Sequence, residues 1–388
     1  MNNEKIWLSS PHMGPNEQKF VDEAFATNWV APVGPHVNAF EEDLRLYTGS
    51  YAAVLSNGTA ALHLGLILLD VKRDDYVLCQ SMTFSASANP IVYQGAIPVF
   101  IDSEETTWNM CPKALREAIE RCISGRLERP DGTLLPAKKP KAILPVHLYG
   151  MPAQMDEIVG IAKEYDIPIL EDAAEALGSH IDNKSCGTFG EIGVLSFNGN
   201  KIITTSSGGA MISHSSELVE KARFLSTQAR DAAPHYQHSH IGYNYRMSNV
   251  LAGIGRGQMQ VLPDRVAARR ANYERYRSLL SDVEGIGWVH EPKGYFSNRW
   301  LSTVLIDPAK TNGVSRETVR LALEKDNIEA RPLWKPMHMQ PIFSEAPYVG
   351  ESVAENLFEQ GLCLPSGSNL TDEDFVRIFA ALKKVFSL

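Results

Sequence analysis

The residues most able to do chemistry form one short stretch, Ser196-Phe197-Asn198-Gly199-Asn200-Lys201-Ile202-Ile203-Thr204-Thr205, with an acidic segment, Leu170-Glu171-Asp172-Ala173-Ala174-Glu175-Ala176, upstream of it. A lysine amine forms a Schiff base with an aldehyde. A carboxylate against a pyridine nitrogen keeps that nitrogen protonated, so that the ring accepts electrons. Lysine, upstream aspartate and a hydroxyl shortly before the lysine are the set that holds pyridoxal 5'-phosphate (PLP). Lys201 is followed by Thr204-Thr205-Ser206-Ser207-Gly208-Gly209, a run of small residues that lets backbone approach a bulky ligand. Lys201 is therefore the expected Schiff-base residue.

Asp172 is the expected partner of the pyridinium nitrogen, although a lone aspartate at a strand end is often a helix N-cap. Glu175, read as one helical turn further on, has two open roles: contact with the ring's phenolic oxygen, or a first-turn glutamate favoured by a helix dipole. Ser56-Asn57-Gly58-Thr59-Ala60-Ala61-Leu62 is a small-residue turn opening a helix, and free N–H groups there suit a phosphate. Ser196 adds a hydroxyl to that cup. Phe84, after a strand, is placed to stack on the pyridine face; core packing is its alternative.

These residues need a scaffold that brings them to one edge. Short apolar strands alternate with amphipathic helices: strands at 52–55, 76–79, 97–101, 142–146 and 168–170, helices at 59–69, 85–94, 112–122 and 155–165. Such alternation predicts a mostly parallel sheet covered by helices, with ligands beyond the carboxyl ends of the strands. From Ser248 to Leu280 the pattern is helical, with a break expected at Pro263. Beyond it come a strand at 301–306 and helices at 316–326 and 371–386, the last capped by Thr371. The expected partition is 1–248 for the large PLP-binding α/β domain with the N-terminal segment, 249–284 for connecting helices, and 285–388 for a small α/β domain.

Other features narrow the class. With 388 residues and a formal net charge of -9, no nucleic-acid partner is expected; the one basic cluster, Lys138-Lys139-Pro140-Lys141, reads as a solvated loop. The five cysteines are scattered without a Cys-x-x-Cys pair, as in a reducing cytoplasm. Met1-Asn2-Asn3-Glu4-Lys5 opens no signal peptide, and no apolar run is long enough for a bilayer, so a cytoplasmic protein without membrane partners is expected. His235-Tyr236-Gln237-His238-Ser239-His240 lacks thiolates and helical ligand spacing, so no metal is expected. Gly253-Ile254-Gly255-Arg256-Gly257 has no strand before it and reads as a helix-packing surface rather than a dinucleotide loop.

Together these motifs resemble the DegT/DnrJ/EryC1/StrS sugar aminotransferases over essentially the whole chain. The resemblance also rests on Trp29-Val30-Ala31-Pro32-Val33-Gly34-Pro35 and Gly242-Tyr243-Asn244-Tyr245-Arg246-Met247-Ser248. It implies an α/β protein of PLP-dependent transferase fold type I (aspartate-aminotransferase-like): a large, mostly parallel sheet domain plus a smaller α/β C-terminal domain. Lys201 then carries the cofactor and moves the proton. Asp172 holds the pyridine nitrogen, and Thr59, the Ala60 amide and Ser196, beside Gly58, hold the phosphate. Asn244 reaches the cofactor phosphate of a neighbouring subunit, which makes the active unit a homodimer with shared sites.

Arg331-Pro332-Leu333-Trp334-Lys335-Pro336-Met337-His338 looks most like the branch acting on UDP-linked 4-keto-6-deoxy-N-acetylhexosamines, the bacillosamine-type sugars of exopolysaccharide and glycoprotein glycans. Trp29, Lys335 and His338 are the implied sugar-nucleotide contacts, and L-glutamate the amino donor. Ser207 stands where relatives often carry glycine. Lys201 stands where a dehydratase branch of the family has histidine, which argues against that branch. A C3-specific aminotransferase and a PLP-binding regulatory protein are the alternatives.

Overall fold

The computed structural model describes residues 4–388; Met1–Asn3, part of the stretch read for a leader, lie outside the described residues. Eight strands make the large sheet: β1 (Tyr51–Leu55), β2 (Tyr76–Gln80), β3 (Ile97–Ile101), β4 (Ala142–Leu144), β5 (Leu170–Asp172), β6 (Ile192–Ser196), β7 (Gly209–Ser213) and β8 (Tyr348–Val349). Their spatial order is β1-β7-β6-β5-β4-β2-β3-β8, the β5–β4 step being made by parallel bridges Ile143↔Ile169 and Val146↔Asp172. Only β7 runs against its neighbours; every other step is parallel. The mostly parallel sheet expected from the strand–helix alternation is present.

Side chains alternate across it with period two. Val77 and Cys79 point into one apolar layer with Leu62 and Leu64 of helix Gly58–Leu68; Leu78 points into the other, with Leu115, Ile119 and Ile158 of helices Pro112–Ser124 and Met155–Tyr165. Both faces are buried, which is why these strands are near-continuous hydrophobic runs. The carboxyl ends of β2, β4, β5 and β6 consequently open on one edge, where the candidate residues lie.

A second sheet is antiparallel, in the order Ile286–Trp288, Ser302–Ile306, Gly361–Leu364, Arg331–Pro332. Helices Arg316–Lys325 and Asp372–Phe386 cover it around Tyr276, Leu323, Phe375, Ile378 and Leu382. Thr371 caps the last helix in a reciprocal capping box with Asp374. The expected partition is not clean along the chain. β8, from the C-terminal stretch, closes the edge of the large sheet, whereas Ile6 pairs with the Asn327–Glu329 backbone beside the second sheet.

Two other expectations differ from the structure. The 249–284 connector is a single helix, Asn249–Leu279, running through Pro263 without a break. And no helix follows β5: residues 173–179 form two successive tight turns, closed by Ala176 N–H to Ala173 O (3.0 Å) and Ser179 N–H to Ala176 O (2.9 Å). The glycines of the 253–257 run are packing contacts as read. A Cβ on Gly255 would lie 2.5 Å from the Phe40 ring, and one on Gly257 2.8 Å from Glu17 N, so only glycine lets helices Pro35–Thr48 and Glu17–Ala26 seat against the long helix.

Candidate active site

Asp172 ends β5 and is buried. Its Oδ2 accepts the Ser87 hydroxyl at 2.6 Å, and Ser87 is joined to the Thr83 hydroxyl at 2.7 Å; Oδ1 accepts Ala174 N–H at 3.1 Å. The strand beneath is pinned by Glu171, fully buried. Its carboxylate takes N–H groups from Gly187 (2.8 Å), Gly190 (2.7 Å) and Phe189, and meets His147 Nε2 at 2.9 Å. Ala153 N–H donates to His147 Nδ1 (3.0 Å), so the ring is the tautomer that donates from Nε2 to Glu171.

Lys201 sits in a bend between β6 and β7. Lys201 N–H closes a turn on Asn198 O (3.0 Å), Thr205 N–H returns to Phe197 O (2.9 Å), and buried Ile202 and Ile203 anchor the bend in the core. Three distant elements hold its backbone. Asn200 O accepts from Ser9 Oγ and from Trp300 Nε1, both at 2.7 Å, and buried Arg269 reaches Lys201 O at 3.5 Å, Ser9 Oγ at 2.9 Å and Trp300 O at 2.5 Å. The amine lies 4.2 Å from the Trp300 ring centroid and 3.3 Å from Glu175 Oε1.

Because residues 173–179 are turns, Glu175 is not a first-turn helical glutamate, and that half of its reading falls. The turns aim it inward: Oε2 accepts Tyr149 N–H (2.7 Å), and Asn298 Nδ2 holds its carbonyl (2.8 Å). Burial pushes its carboxyl up to about 7 against the pull of the Lys201 amine.

The anion cup is formed where β1 turns into helix Gly58–Leu68. Asn57 caps the helix by accepting Ala60 N–H at 2.7 Å. The Ala60 amide expected to face a phosphate is thus occupied, and the free backbone donors are Gly58 and Thr59. Their N–H groups, the Thr59 hydroxyl and the Ser196 hydroxyl have no partner among the described residues. Ser196 is beside them, since a Cβ on Gly58 would lie 3.2 Å from the Ser196 Cβ. Gly209 backs onto the turn so closely that its own Cβ would lie 2.5 Å from Gly58 N. Ser207, the departure noted above, ties its hydroxyl to Ser56 O (2.9 Å) and leaves the turn intact.

Phe84 is exposed (56 %) and joins an aromatic cluster rather than the core: its ring is 5.5 Å from Trp334, which is 5.1 Å from Tyr149 and 6.2 Å from Trp300. Lys335, beside Trp334, has no ion-pair partner among the described residues. His338 is committed to the protein: Nδ1 meets Ser81 Oγ at 2.7 Å, Nε2 meets Glu355 at 3.2 Å, and the ring stacks on Tyr348 at 3.8 Å. Burial lowers its pKa. It anchors the 331–338 segment to the large sheet. Trp29 is exposed, and its backbone is held by Ala24 O and Asn249 Nδ2. Asn244 is exposed too, between Tyr243 and Tyr245, whose rings stack at 5.1 Å and whose N–H groups pair with Leu225 and Ser226. Neither is brought to Lys201 by contacts within the chain.

The histidine run disperses: His235 meets Gln237, His238 meets Gln228 O, and His240 edges the Phe224 ring. Among the described residues no group of three or more His, Cys, Asp or Glu could hold a metal, no cysteine is paired, and no helix is long and apolar enough to cross a membrane. The basic cluster is matched by carboxylates: Lys138 to Asp75, Lys139 to Asp166, Lys141 to Asp70. Ser87, Tyr149, Arg269 and Trp300 are the site residues that sequence reasoning missed. Only Ser87 left a trace, as a small polar residue one turn past Phe84.

The donor set fits PLP: unpartnered hydroxyl and amide donors for a phosphate, a buried carboxylate for a ring nitrogen, an amine for an aldehyde, and an aromatic wall. Comparison with known proteins agrees. The profile of the DegT/DnrJ/EryC1/StrS aminotransferase family matches residues 11–383. EpsN of Bacillus subtilis (strain 168), named as a pyridoxal phosphate-dependent aminotransferase, is 50 % identical over 387 residues, 98 % of this chain and 96 % of its own. GDP-perosamine synthase of Escherichia coli O157:H7 is 34 % identical over 384 residues, 98 % and 99 % of the two chains. The crystal structure of the aminotransferase TlmJ from Streptoalloteichus hindustanus superposes with a TM-score of 0.87 at 28 % identity, covering 98 % of both chains.

Proposed function

The chain belongs to the DegT/DnrJ/EryC1/StrS aminotransferase family and is a PLP-dependent sugar aminotransferase; from that premise we propose that it moves an amino group from L-glutamate to the C4 ketone of a UDP-linked 4-keto-6-deoxy-N-acetylhexosamine, for exopolysaccharide or glycan synthesis. The observation that carries the site assignment is the meeting of the Lys201 amine with Glu175, beside Asp172 and the unpartnered donors of Gly58, Thr59 and Ser196, at the carboxyl ends of the sheet.

Bound PLP supplies an aldehyde that exchanges amines and a ring that stores the electron pair released at the donor's Cα. The chain's own residues do the rest. Gly58, Thr59 and Ser196 hold the phosphate against the helix N-terminus. Asp172, fixed by Ser87 and Ala174, keeps the ring nitrogen protonated. Lys201 Nζ takes the proton from the donor's Cα and, in the second half of the cycle, delivers one to C4 of the sugar. Phe84, Trp300 and Trp334 exclude water from the reacting carbons. Lys335, without an ion-pair partner among the described residues, offers its charge to the diphosphate, with Trp29 at the outer edge; His338 acts by holding that segment. Asn244, whose side chain has no hydrogen-bond partner among the described residues, is proposed to reach the cofactor phosphate of a second copy, so that the active unit is a homodimer in the cytoplasm.

The likeness to a GDP-perosamine synthase favours a GDP-linked sugar as the second reading. Turnover with glutamate and each keto sugar, followed by NMR of the product, separates the two, and it also separates C4 from C3 and an enzyme from a PLP-binding regulator. A C4 amine on the UDP sugar is the expected product. Lys201→Ala is expected to abolish turnover, and retained turnover would overturn the assignment.

A further inference from the structure

We propose that Glu175 is the proton partner of Lys201: once the amine is freed from the cofactor, the Glu175 carboxylate is the acceptor through which the ammonium gives up its proton in the reaction, leaving a neutral amine able to act as base. The inference rests on the reading that Lys201 is the reacting amine.

The geometry is specific. Nζ and Oε1 are 3.3 Å apart, and Glu175 supplies the only hydrogen-bonding partner of Nζ among the described residues. Its other near neighbour is the Trp300 face, which attracts a cation but accepts no proton. The carboxylate cannot swing away, because Oε2 is held by Tyr149 N–H and the backbone by Asn298. Both groups are largely shielded from water, their side chains 11 % and 3 % exposed. A buried ion pair carries the desolvation of two charges, which a neutral acid–amine pair does not. The transfer breaks one Nζ–H bond and makes one Oε1–H bond. The pair stays at zero net charge, so no charge has to enter or leave the pocket. Reversal returns the proton to Lys201 for delivery to the acceptor carbon.

The groups facing Glu175 set its titration. Lys201 favours the carboxylate; Asp172, at the end of β5, disfavours it. Tyr149, in the turn Leu148–Gly150, donates its N–H to it, and Cys363, in strand Gly361–Leu364, lies within reach of its charge; burial pushes both of these side chains upward, so they stay neutral. Below about pH 7, then, Glu175 takes its proton from solvent and cannot accept one from the amine.

Two measurements test this on the full chain. In cofactor-free protein, an infrared difference titration follows the protonated-carboxyl band that Glu175→Gln removes. The band is expected to titrate near pH 7, and Lys201→Ala to move its midpoint upward by removing the positive neighbour. In the holoenzyme, stopped-flow rates at saturating glutamate are expected to fall on the acid side, as Glu175 becomes protonated. Glu175→Gln, which keeps an acceptor for Tyr149 N–H, is expected to be about 100-fold slower and to lose that acid limb. A merely structural role would lower the rate and keep the profile. An unchanged acid limb in Glu175→Gln, or a midpoint indifferent to Lys201→Ala, overturns the proposal. Turnover by Lys201→Ala would instead refute the reading of Lys201 itself. An inactive Lys201→Ala with an unaltered limb in Glu175→Gln refutes only the partnership.

Discussion

Ser87→Ala removes one hydroxyl from the far side of the site, and its cost follows from what that hydroxyl does. Ser87 Oγ–H donates to Asp172 Oδ2 at 2.6 Å, the shorter of the two bonds that fix this carboxylate. Asp172 is 5 % exposed, so water does not readily take the place of the lost donor. A hydrogen bond to a charged group contributes about 1.5–3 kcal/mol, which is roughly 10- to 150-fold in rate if all of it is expressed in the transition state. Oδ1 keeps its bond to Ala174 N–H, so the carboxylate stays near its place and the lower end of that range is expected. The loss should appear in the glutamate half-reaction, followed by the change in cofactor absorbance, and in the dissociation constant for PLP. Ser87→Thr, which keeps the hydroxyl, should restore most of it. A folded Ser87→Ala enzyme within twofold of wild type would refute the claim that Ser87 holds Asp172 for the chemistry.

Gly209→Ala places a methyl group 2.5 Å from Gly58 N, so the cup turn has to move. Overpacking of about 1–3 kcal/mol predicts PLP affinity roughly 5- to 150-fold weaker by equilibrium titration; unchanged affinity would remove Gly58 and Thr59 from the phosphate site. Asn244→Ala and Lys201→Ala are each expected to be inactive. Mixed and re-equilibrated in equal amounts, they should recover about a quarter of wild-type activity, because half the dimers then carry one intact site. No recovery would show that Asn244 does not serve the other subunit. Lys335→Met should weaken binding of the nucleotide sugar roughly tenfold while leaving the glutamate half-reaction unchanged, since a cation on a diphosphate contributes to that substrate alone.

What could be read in the chain and what could not divide along contact range. β3 and the helix Met155–Tyr165 fall at the expected residues, because hydrophobic period and Pro or Gly punctuation are local signals. Lys201 and Asp172 are legible for a related reason: Asp172 ends β5 and Lys201 lies in the bend that follows β6, and strand ends of a parallel sheet converge. The groups that tune them are not. Ser87 meets Asp172 across 85 residues and Trp300 meets Asn200 across 100, distances over which a single sequence carries no register. Ala173-Ala174-Glu175-Ala176-Leu177 is rich in good helix formers and so favours a helix around Glu175. Tertiary contacts to Tyr149 and Asn298 override that local preference and turn the carboxylate toward the lysine. Pro263 misleads in the opposite sense. The long helix, packed through Gly253, Gly255 and Gly257, tolerates a residue that would end an isolated one.

The visible absorption spectrum of the purified protein, recorded before and after L-glutamate, tests the central claim most directly. A yellow protein that bleaches with glutamate is the predicted result, because it reports the cofactor, the Lys201 linkage and the amino donor in one experiment. A protein that stays colourless when PLP is supplied would contradict the account.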